Sequence, residues 1–397
     1  MTKSKFREFL FEAKHLTGLV VAAAAVAVFL YMGVGALAQS KSTLSALPPT
    51  PQAPKDNPTT PAKVALGRLL FWDPLLSGPQ DVACASCHHP QNGYAEDRDL
   101  SLGVTAIGLG SKRRQAPGSS IPIVKRNAPT VLNIAFSGSD ESGRYDPATA
   151  PMFWDLRVKS LEKQALEPLK AHEEMRGTTY PEDEAVASVV AKLQANAEYR
   201  SLFAGAFGSA QPVNSENLGR AIAAFERTLL ANNSPFDRYM RGDRSAMTEE
   251  QVSGMRRFES VGCVKCHNGP MFSDYKLHVM GVPDNPALPA SDDGAEKTYA
   301  FRTASLRNLT FTAPYEHNGM FRTLSDVVGF YEDARGGRSR NPNVSSEKLD
   351  PLLRELGDFD EEDVDLVEFL RALSDDSFDR TIPERVPSGL PVGGKIQ

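Results

Sequence analysis

Four cysteines and two histidines carry the clearest chemistry in this chain, in two copies of one short pattern. Residues 84–88 read Cys-Ala-Ser-Cys-His and residues 263–267 read Cys-Val-Lys-Cys-His, and together they use all 4 cysteines. The pattern C-x-x-C-H is typical of c-type haem attachment, in which both sulfurs bond to the haem and the histidine ligates the iron. The six residues are Cys84, Cys87, His88, Cys263, Cys266 and His267.

Zinc sites and redox-active cysteine pairs also use two cysteines separated by two residues. Two zinc sites would need further ligands from elsewhere in the chain, and zinc binding does not explain why a histidine follows each pair directly. We therefore expect two covalently bound haems c. Haems of this type are generally attached outside the bacterial inner membrane, so the protein is expected to be exported.

The N-terminal segment has the composition of an export signal. Basic residues precede an uncharged apolar stretch over residues 15–40, in which positions 36–38 read Ala-Leu-Ala. This ending fits signal-peptidase cleavage after Ala38, whereas about 20 apolar residues also suffice for an uncleaved membrane anchor. Both alternatives stand for residues 1–40, and either one places the rest of the protein in the periplasm.

Helix signals precede both cysteine motifs. Residues 41–60 contain five prolines and predict an extended spacer rather than packed structure. Thr60 followed by Pro61 then predicts the start of a helix. Thr248 with Gln251 three residues later predicts a capping box in front of the second motif.

Apolar spacing predicts a further helix after each motif. Leu218, Ile222 and Phe225 lie on one helical face, and Asp360 is expected to cap a last helix that carries Val364. Because strand-like alternation is scarce, the fold class is mainly α, with two tandem cytochrome c-like domains that each hold one haem. The expected boundaries are a signal or anchor over 1–40, a linker over 41–60, haem domains over 61–240 and 241–384, and a flexible tail over 385–397.

Charge excludes one class of partner. The net charge of −6 leaves no basic excess to neutralise phosphates, so we expect no nucleic-acid binding. The short basic stretch over residues 112–114 is expected to be solvated loop charge or part of a docking rim. At 397 residues the chain is long enough for two domains with separate cores.

Three longer segments resemble the bacterial di-haem cytochrome c peroxidase/MauG family. They are Arg-Asn-Ala-Pro-Thr-Val-Leu-Asn at 126–133, the stretch from Phe-Trp-Asp-Leu-Arg to Glu-Glu-Met at 153–175, and Ser-Leu-Arg-Asn to His-Asn-Gly at 305–319. The resemblance covers about residues 60–375. It implies an oxidoreductase of the cytochrome-c peroxidase type, with two cytochrome c-like domains and a calcium ion between the haems.

The resemblance also implies roles for individual residues. His88 would be the proximal ligand of the peroxide-reacting haem, and His267 that of the haem that relays electrons. Trp154 matches the tryptophan that lies between the two haems, where an indole shortens the electron-transfer gap. The alternative for Trp154 is a packing role in the core.

Gln164 and Glu174 match the distal pair of the peroxide-reacting haem. A carboxyl group there can move a proton from the inner to the outer peroxide oxygen, and an amide can orient the peroxide. Glu173 is the weaker choice for this acid. The implied calcium ligands are Asn127 through its side chain and Thr312 and Pro314 through their carbonyl oxygens, which suit a hard cation.

The loop after the first motif departs from the peroxidase branch. Peroxidases that need reductive activation carry a second histidine there, whereas this chain has Val104 and also an insertion before Arg126. No histidine occurs between His89 and His172. We therefore expect the first haem to be open, five-coordinate and ready for peroxide.

The sixth ligand of the second haem is the other departure. The family position is Tyr331, which corresponds to methionine in the peroxidase branch and to tyrosine in MauG. A phenolate ligand stabilises ferric iron, whereas methionine raises the potential. In the competing interpretation Tyr331 is a packed aromatic, and the ligand is Met320, Met280 or Met271. His278 and His317 also match family positions and are expected beside the haem or its propionates.

The leading hypothesis is a periplasmic di-haem peroxidase that reduces hydrogen peroxide with electrons from a small cytochrome c or copper protein. The second is a MauG-like oxidase that modifies residues of a partner protein, which an open first haem and Tyr331 favour. The third is a non-enzymatic di-haem electron carrier, against which Gln164 and Glu174 count. The sequence is compatible with a membrane anchor and with a homodimer, and it decides neither.

Overall fold

Short helices joined by long loops dominate the computed structural model, which describes residues 43–360 and 362–397. The mainly α fold class is confirmed, since strands in the described residues are two or three residues long and form two-stranded antiparallel sheets. The predicted signal or anchor over residues 1–40 lies outside the described residues. Within them, no helix has the length and apolar character needed to cross a bilayer.

The elements follow one another in this order. The α-helices are α1 (Pro61–Trp72), α2 (Cys84–Cys87), α3 (Leu161–Gln164), α4 (Ala185–Ala195), α5 (Ala197–Phe207), α6 (Ser215–Glu226), α7 (Pro235–Met240), α8 (Glu249–Ser260), α9 (Leu324–Arg335) and α10 (Val364–Arg371). A π-helix spans His172–Arg176. The strands are β1 (Ala106–Ile107), β2 (Arg114–Gln115), β3 (Pro151–Met152), β4 (Val158–Lys159), β5 (Leu277–Val279) and β6 (Ala300–Arg302), paired in sequence order.

Single turns of 3-10 helix fill many of the loops. They span Pro74–Leu76, Pro90–Asn92, Gly110–Lys112, Ile134–Phe136, Cys263–Lys265, Leu309–Phe311, Ser346–Lys348 and Pro351–Glu355. Several of them lie directly beside a cysteine motif or a predicted site residue. The loops that carry the chemistry are therefore built from tight turns rather than from extended chain.

A pair of crossing helices lies at the centre of each half of the fold. In the N-terminal half α1 packs on α6, and a Cβ atom at Gly67 would overlap the carbonyl group of Ala221. In the C-terminal half α8 packs on α10, and a Cβ atom at Gly254 would overlap the carbonyl group of Asp365. Glycine is required at both crossings because only its missing side chain lets the backbones approach so closely.

Two separate hydrophobic clusters surround these helix pairs. The first is built from residues between 66 and 222, including Leu66 of α1 and Ile222 of α6. The second contains Phe258 and Phe369, whose ring centres are 5.3 Å apart. Two cores with the same helix arrangement are compatible with the predicted tandem plan, and the domain boundaries stay predictions.

The segments that flank the two halves pack against them. In the proline-rich segment Leu47 is buried, and its backbone N–H donates to Asp237 at 2.9 Å, so this spacer is extended but not free of contacts. At the C-terminus Val386 is buried and the Gly393 carbonyl accepts from Ser86 Oγ at 2.7 Å. The expected flexible tail is thus held beside the first cysteine motif by burial and backbone hydrogen bonds.

Helix starts were predicted with mixed success. The Thr60 cap and the box formed by Thr248 and Gln251 are both confirmed. The Asp360 cap is wrong, because the last helix is capped by Asp363, whose side chain accepts from the Leu366 N–H at 3.2 Å. Either aspartate could accept a hydrogen bond from the backbone N–H three residues later. The helix begins after Asp363, the one that directly precedes the apolar residues.

Substituting Gly67 by Ala should destabilise the protein by about 1–3 kcal/mol, since the new methyl group meets backbone that cannot move aside. The matched control is Gly205→Ala in α5, where the added methyl group meets nothing within 4 Å. That control should instead stabilise by about 0.5–1 kcal/mol through helix propensity. Urea unfolding of both variants measures the difference, and equal effects would contradict the close packing of α1 on α6.

Candidate functional site

The first cysteine motif presents a histidine with one free ring nitrogen. Cys84 and Cys87 are the first and last residues of α2, and neither forms a disulfide. His88 Nδ1 lies 3.1 Å from the carbonyl oxygen of Tyr94. Burial lowers the pKa of His88, so its ring is neutral, and Nδ1–H donates to that carbonyl. Nε2 then carries the lone pair that a metal ion needs.

The second motif repeats this arrangement on a 3-10 turn. His267 Nδ1 lies 2.9 Å from the carbonyl oxygen of Phe272, and burial again lowers the pKa of the histidine. Burial also raises the pKa of the Cys84 and Cys263 thiols to about 12. Each motif thus offers two sulfurs and a histidine whose Nε2 is free, which is the set of groups that holds a c-type haem. Both motifs therefore fit covalent haem.

A large cavity lies beside the second motif and collects many of the predicted residues. His267 and Tyr331 both line it, with their ring centres 6.5 Å apart. Burial raises the pKa of Tyr331 well above its ordinary value, and the nearby Glu316 carboxyl adds to this effect. Met271 and Met280 also line the cavity, whereas Met320 is not among its described lining residues.

Trp154 and the predicted calcium residues lie in one wall of this cavity. Trp154 is 8% exposed, and its indole N–H donates to the Asn127 carbonyl at 3.0 Å. The Asn127 amide donates to the Arg98 carbonyl at 2.7 Å, which leaves its Oδ1 for another partner. Thr312 and Pro314 line the same cavity, and their carbonyl oxygens accept no hydrogen bond from any residue that the structure describes. Three oxygens of this kind are the donors that calcium prefers.

Two further histidines border the cavity. His317 stacks on Phe301 with ring centres 3.6 Å apart and contacts Trp154 edge-on at 6.4 Å. His278 lies between Asp274 at 3.2 Å and Asp350 at 2.7 Å. Hydrogen bonds to Asp274, Cys266 and Asp350 raise the pKa of His278 to about 11, so the imidazole stays protonated. Cys266, Asp274 and His278 are close enough to hold a metal ion, but Cys266 belongs to the second motif.

Glu174 lies beside the first motif. It is part of the π-helix His172–Arg176, and its carbonyl accepts from the Val104 N–H at 2.8 Å. Burial, with the Glu173 carboxyl next to it, raises the pKa of Glu174 to about 7. The Glu174 charge is also among the smaller causes that raise the pKa of Cys84 and Cys87.

Gln164 and Val104 are the other two positions predicted near the first haem. Gln164 is the last residue of α3, and no hydrogen bond joins its amide to the Glu174 carboxyl among the residues in the described ranges. Val104 is 1% exposed and packs in the first hydrophobic cluster. The loop that would carry a second histidine thus lies directly against the segment that carries Glu174.

Arg113 and Glu316 are two buried charged residues that sequence reasoning missed as parts of the site. The basic stretch over 112–114 was expected to be solvated, and for Arg113 this is wrong, because the residue is 3% exposed and paired with Glu96. Glu316 lines the large cavity, and burial raises its pKa to about 7. A charged residue inside a polar loop gives no periodic pattern, so its burial depends on contacts far away in sequence.

Comparison with known proteins identifies the family. A family model for di-haem cytochrome c peroxidase matches residues 61–245. The cytochrome-c peroxidase IdrP1 of Pseudomonas sp. (strain SCT) is 34% identical over 90% of this chain and 91% of the relative. The methylamine utilization protein MauG of Methylorubrum extorquens is 34% identical over 83% of each chain.

A solved structure gives the same result at the level of the fold. The crystal structure of a MauG-like protein associated with microbial copper homeostasis matches with a TM-score of 0.66 and 27% identity, over 84% of this chain and 95% of that protein. The chain belongs to the di-haem cytochrome c peroxidase family, a family of oxidoreductases that includes MauG proteins. The resemblance read from the three sequence segments is therefore confirmed.

Proposed function

We propose that the protein is a periplasmic di-haem peroxidase that reduces hydrogen peroxide to water with electrons from a small cytochrome c or copper protein. The observation that carries this proposal is Glu174, an acid whose pKa is raised to about 7 and whose backbone packs on the loop that follows the first motif. Val104 in the neighbouring loop cannot ligate iron. An acid next to an open position is useful for peroxide chemistry, and an electron carrier has no need of it.

His88 and His267 would hold the two haem irons through Nε2, since Nδ1 of each ring faces a backbone carbonyl. When bound, haem c supplies the redox-active iron at which peroxide is reduced and through which electrons are relayed. The carbonyl partners fix the orientation of each imidazole and increase its basicity. The two tandem cytochrome c-like domains are part of this proposal, with one haem in each.

Glu174 would supply the proton movement that the reaction needs. Reduction of one hydrogen peroxide to two waters consumes two electrons and two protons, and one proton must reach the departing oxygen. With a pKa of about 7, the Glu174 carboxyl can both accept and return a proton near neutral pH. Gln164 would orient the peroxide through its amide.

Trp154 would carry electrons between the two halves of the site. Its ring contacts His317 and its N–H is fixed on the Asn127 carbonyl, so the indole has a defined orientation in the wall of the large cavity. A calcium ion held by Asn127, Thr312 and Pro314 would lie beside the same indole. The shared use of Asn127 supports a link between calcium binding and electron transfer.

Calcium removal should therefore slow electron exchange between the two haems while leaving both attached. We expect the Asn127→Ala protein, and the wild type after chelation, to show slow intramolecular electron transfer after partial reduction. Added calcium should restore the wild type only. Asn343→Ala, at an exposed position where the amide contacts Asp284, is the control and should behave as wild type. Unchanged electron transfer after complete calcium removal would contradict the role of this ion.

The proposal as a whole can be tested with stoichiometric peroxide. The oxidised full-length holoprotein is mixed with one equivalent of peroxide, followed by its absorption spectrum, and then offered reduced cytochrome c. Fast oxidation of the cytochrome over many turnovers supports the peroxidase. A more highly oxidised state that forms with peroxide, persists and accepts electrons poorly from the cytochrome contradicts the peroxidase proposal.

A second candidate function is a MauG-like oxidase that modifies residues of a partner protein. Tyr331 favours it, because it lines the large cavity together with His267 at a ring distance of 6.5 Å. A phenolate there would stabilise the ferric state and let the protein hold oxidising equivalents for longer. The outcome that contradicts the peroxidase in the experiment above is the outcome that this candidate predicts.

A further inference from the structure

Arg113 is a buried cation that connects the first cysteine motif to the loop that follows it. It follows the 3-10 turn of the hairpin between β1 and β2. Its guanidinium donates to the Ser86 carbonyl at 2.6 Å and to the Gly103 carbonyl at 3.2 Å. Ser86 lies between the two cysteines of the motif, and Gly103 immediately precedes Val104.

Glu96 lies beside Arg113 in the interior. Burial raises the pKa of Glu96, and the Arg113 charge opposes part of this rise. The Glu96 carboxyl oxygen lies 3.8 Å from the guanidinium Nε, and both side chains are 1% exposed. Arg98 donates to the Arg113 carbonyl at 2.6 Å and thereby fixes the backbone of the hairpin. No hydrogen bond joins the Glu96 and Arg113 side chains, so their contact is electrostatic, and the two backbone carbonyls fix the guanidinium.

The loop that Arg113 holds lies directly on the segment that carries Glu174. A Cβ atom at Gly103 would overlap the carbonyl oxygens of both Glu173 and Glu174. The next residue, Val104, donates its N–H to the Glu174 carbonyl at 2.8 Å. A continuous series of contacts therefore runs from the cysteine motif through Arg113 and Gly103 to the backbone of Glu174.

We propose that Arg113 is a positioning residue that fixes the Glu174 segment relative to the first cysteine motif. This inference rests on the proposed role of Glu174 as the proton-transferring acid. One guanidinium ties the carbonyl of the motif to the loop on which the Glu174 segment packs. The stretch that matches the histidine-bearing loop of reductively activated peroxidases is held here by an arginine from the hairpin between β1 and β2.

The test replaces Arg113 by Gln in the full-length holoprotein and uses Arg114→Gln as the control. Arg114 is the next residue and is exposed, so the same change of charge is made without loss of the bridge. The first readout is hydrogen exchange of the peptide that contains Val104. We expect about 10-fold to 100-fold faster exchange in Arg113→Gln, since hydrogen bonds to a buried charged group are lost there.

The second readout is fluoride binding to the oxidised first haem, a measure of the distal acid that needs no turnover. At about pH 6 the Glu174 carboxyl is protonated and can donate to the bound anion, so we expect about 10-fold weaker fluoride binding in Arg113→Gln. The spectrum of the second haem should not change. Arg113→Lys keeps the charge but presents one ammonium group for two carbonyls, and should restore only part of the effect.

Because Arg113→Gln leaves Glu96 unpaired, the double variant Glu96→Gln/Arg113→Gln provides a second measurement with no buried charge. It should fold and still show fast Val104 exchange and weak fluoride binding. Wild-type exchange and binding in this double variant, or equal effects in Arg114→Gln, would overturn the inference. If Glu174→Gln leaves the peroxide reaction intact while Arg113→Gln still speeds Val104 exchange, the proposed function fails and the bridge stands.

Discussion

Replacement of Glu174 by Gln should lower the rate of the peroxide reaction by about 10²–10⁴-fold, the range expected when a general acid–base group is lost. The amide keeps the size of the side chain but cannot take up and return a proton. Rapid mixing of the oxidised variant with peroxide measures the rate. Glu173→Gln, in the adjacent position of the same π-helix, is the matched control. Loss of the Glu173 charge should lower the pKa of Glu174, so this control should stay close to the wild-type rate above pH values of about 7, where Glu174 is ionised in both proteins.

The pH dependence gives this prediction a second readout. Burial, followed by the charge of Glu173, raises the pKa of Glu174 to about 7, and Arg157 opposes part of this effect. Because the carboxyl must be ionised to take the first proton, the wild-type rate should rise as the pH rises through about 7. The Glu174→Gln rate should be flat over the same range. A wild-type rate that falls as the pH rises would contradict the base role of Glu174.

Replacement of Tyr331 by Met should raise the reduction potential of the second haem by on the order of hundreds of millivolts, because axial ligands together span about 0.8 V. A phenolate stabilises ferric iron, whereas a thioether favours the reduced state. Spectroelectrochemical titration of the holoprotein measures the potential. Tyr299→Phe, which changes another tyrosine of the same cavity, is the control and should shift the potential little.

Tyr331→Phe separates ligation from packing. If Tyr331 is the ligand, removal of its hydroxyl should open the sixth position and change the spectrum of the second haem. If Tyr331 only packs against its neighbours, the spectrum and potential should stay as in wild type. The second result would assign the ligand to Met271 or Met280, both of which line the cavity.

The sequence was most informative where chemistry and local structure depend on neighbouring residues. The Thr60 cap and the capping box at Thr248 each involve partners within a few residues, and both are as predicted. The two C-x-x-C-H motifs are equally local patterns, and haem attachment to them stays a prediction. The family resemblance also came from short continuous segments. Such patterns can be recognised directly because the interacting residues are close together in the chain.

Contacts between distant residues could not be predicted in this way. In the sequence Arg113 looks like a surface charge. In the structure it is buried and donates to the carbonyl of Ser86, a residue 27 positions away that no local pattern connects to it. The C-terminal segment looks flexible, yet its Gly393 carbonyl bonds to Ser86 across 307 positions. The raised pKa of Glu174 depends likewise on burial that no local pattern contains. Tertiary packing decides each of these features.

Electron paramagnetic resonance of the fully oxidised holoprotein tests the central claim most directly. The two cysteine motifs look equivalent in sequence, whereas Val104 and Glu174 beside the first and Tyr331 beside the second make them unequal. We predict one high-spin ferric signal from an open first haem and one low-spin signal from a six-coordinate second haem. Two low-spin signals, with a bis-histidine first haem, would contradict an enzyme that meets peroxide without prior reduction.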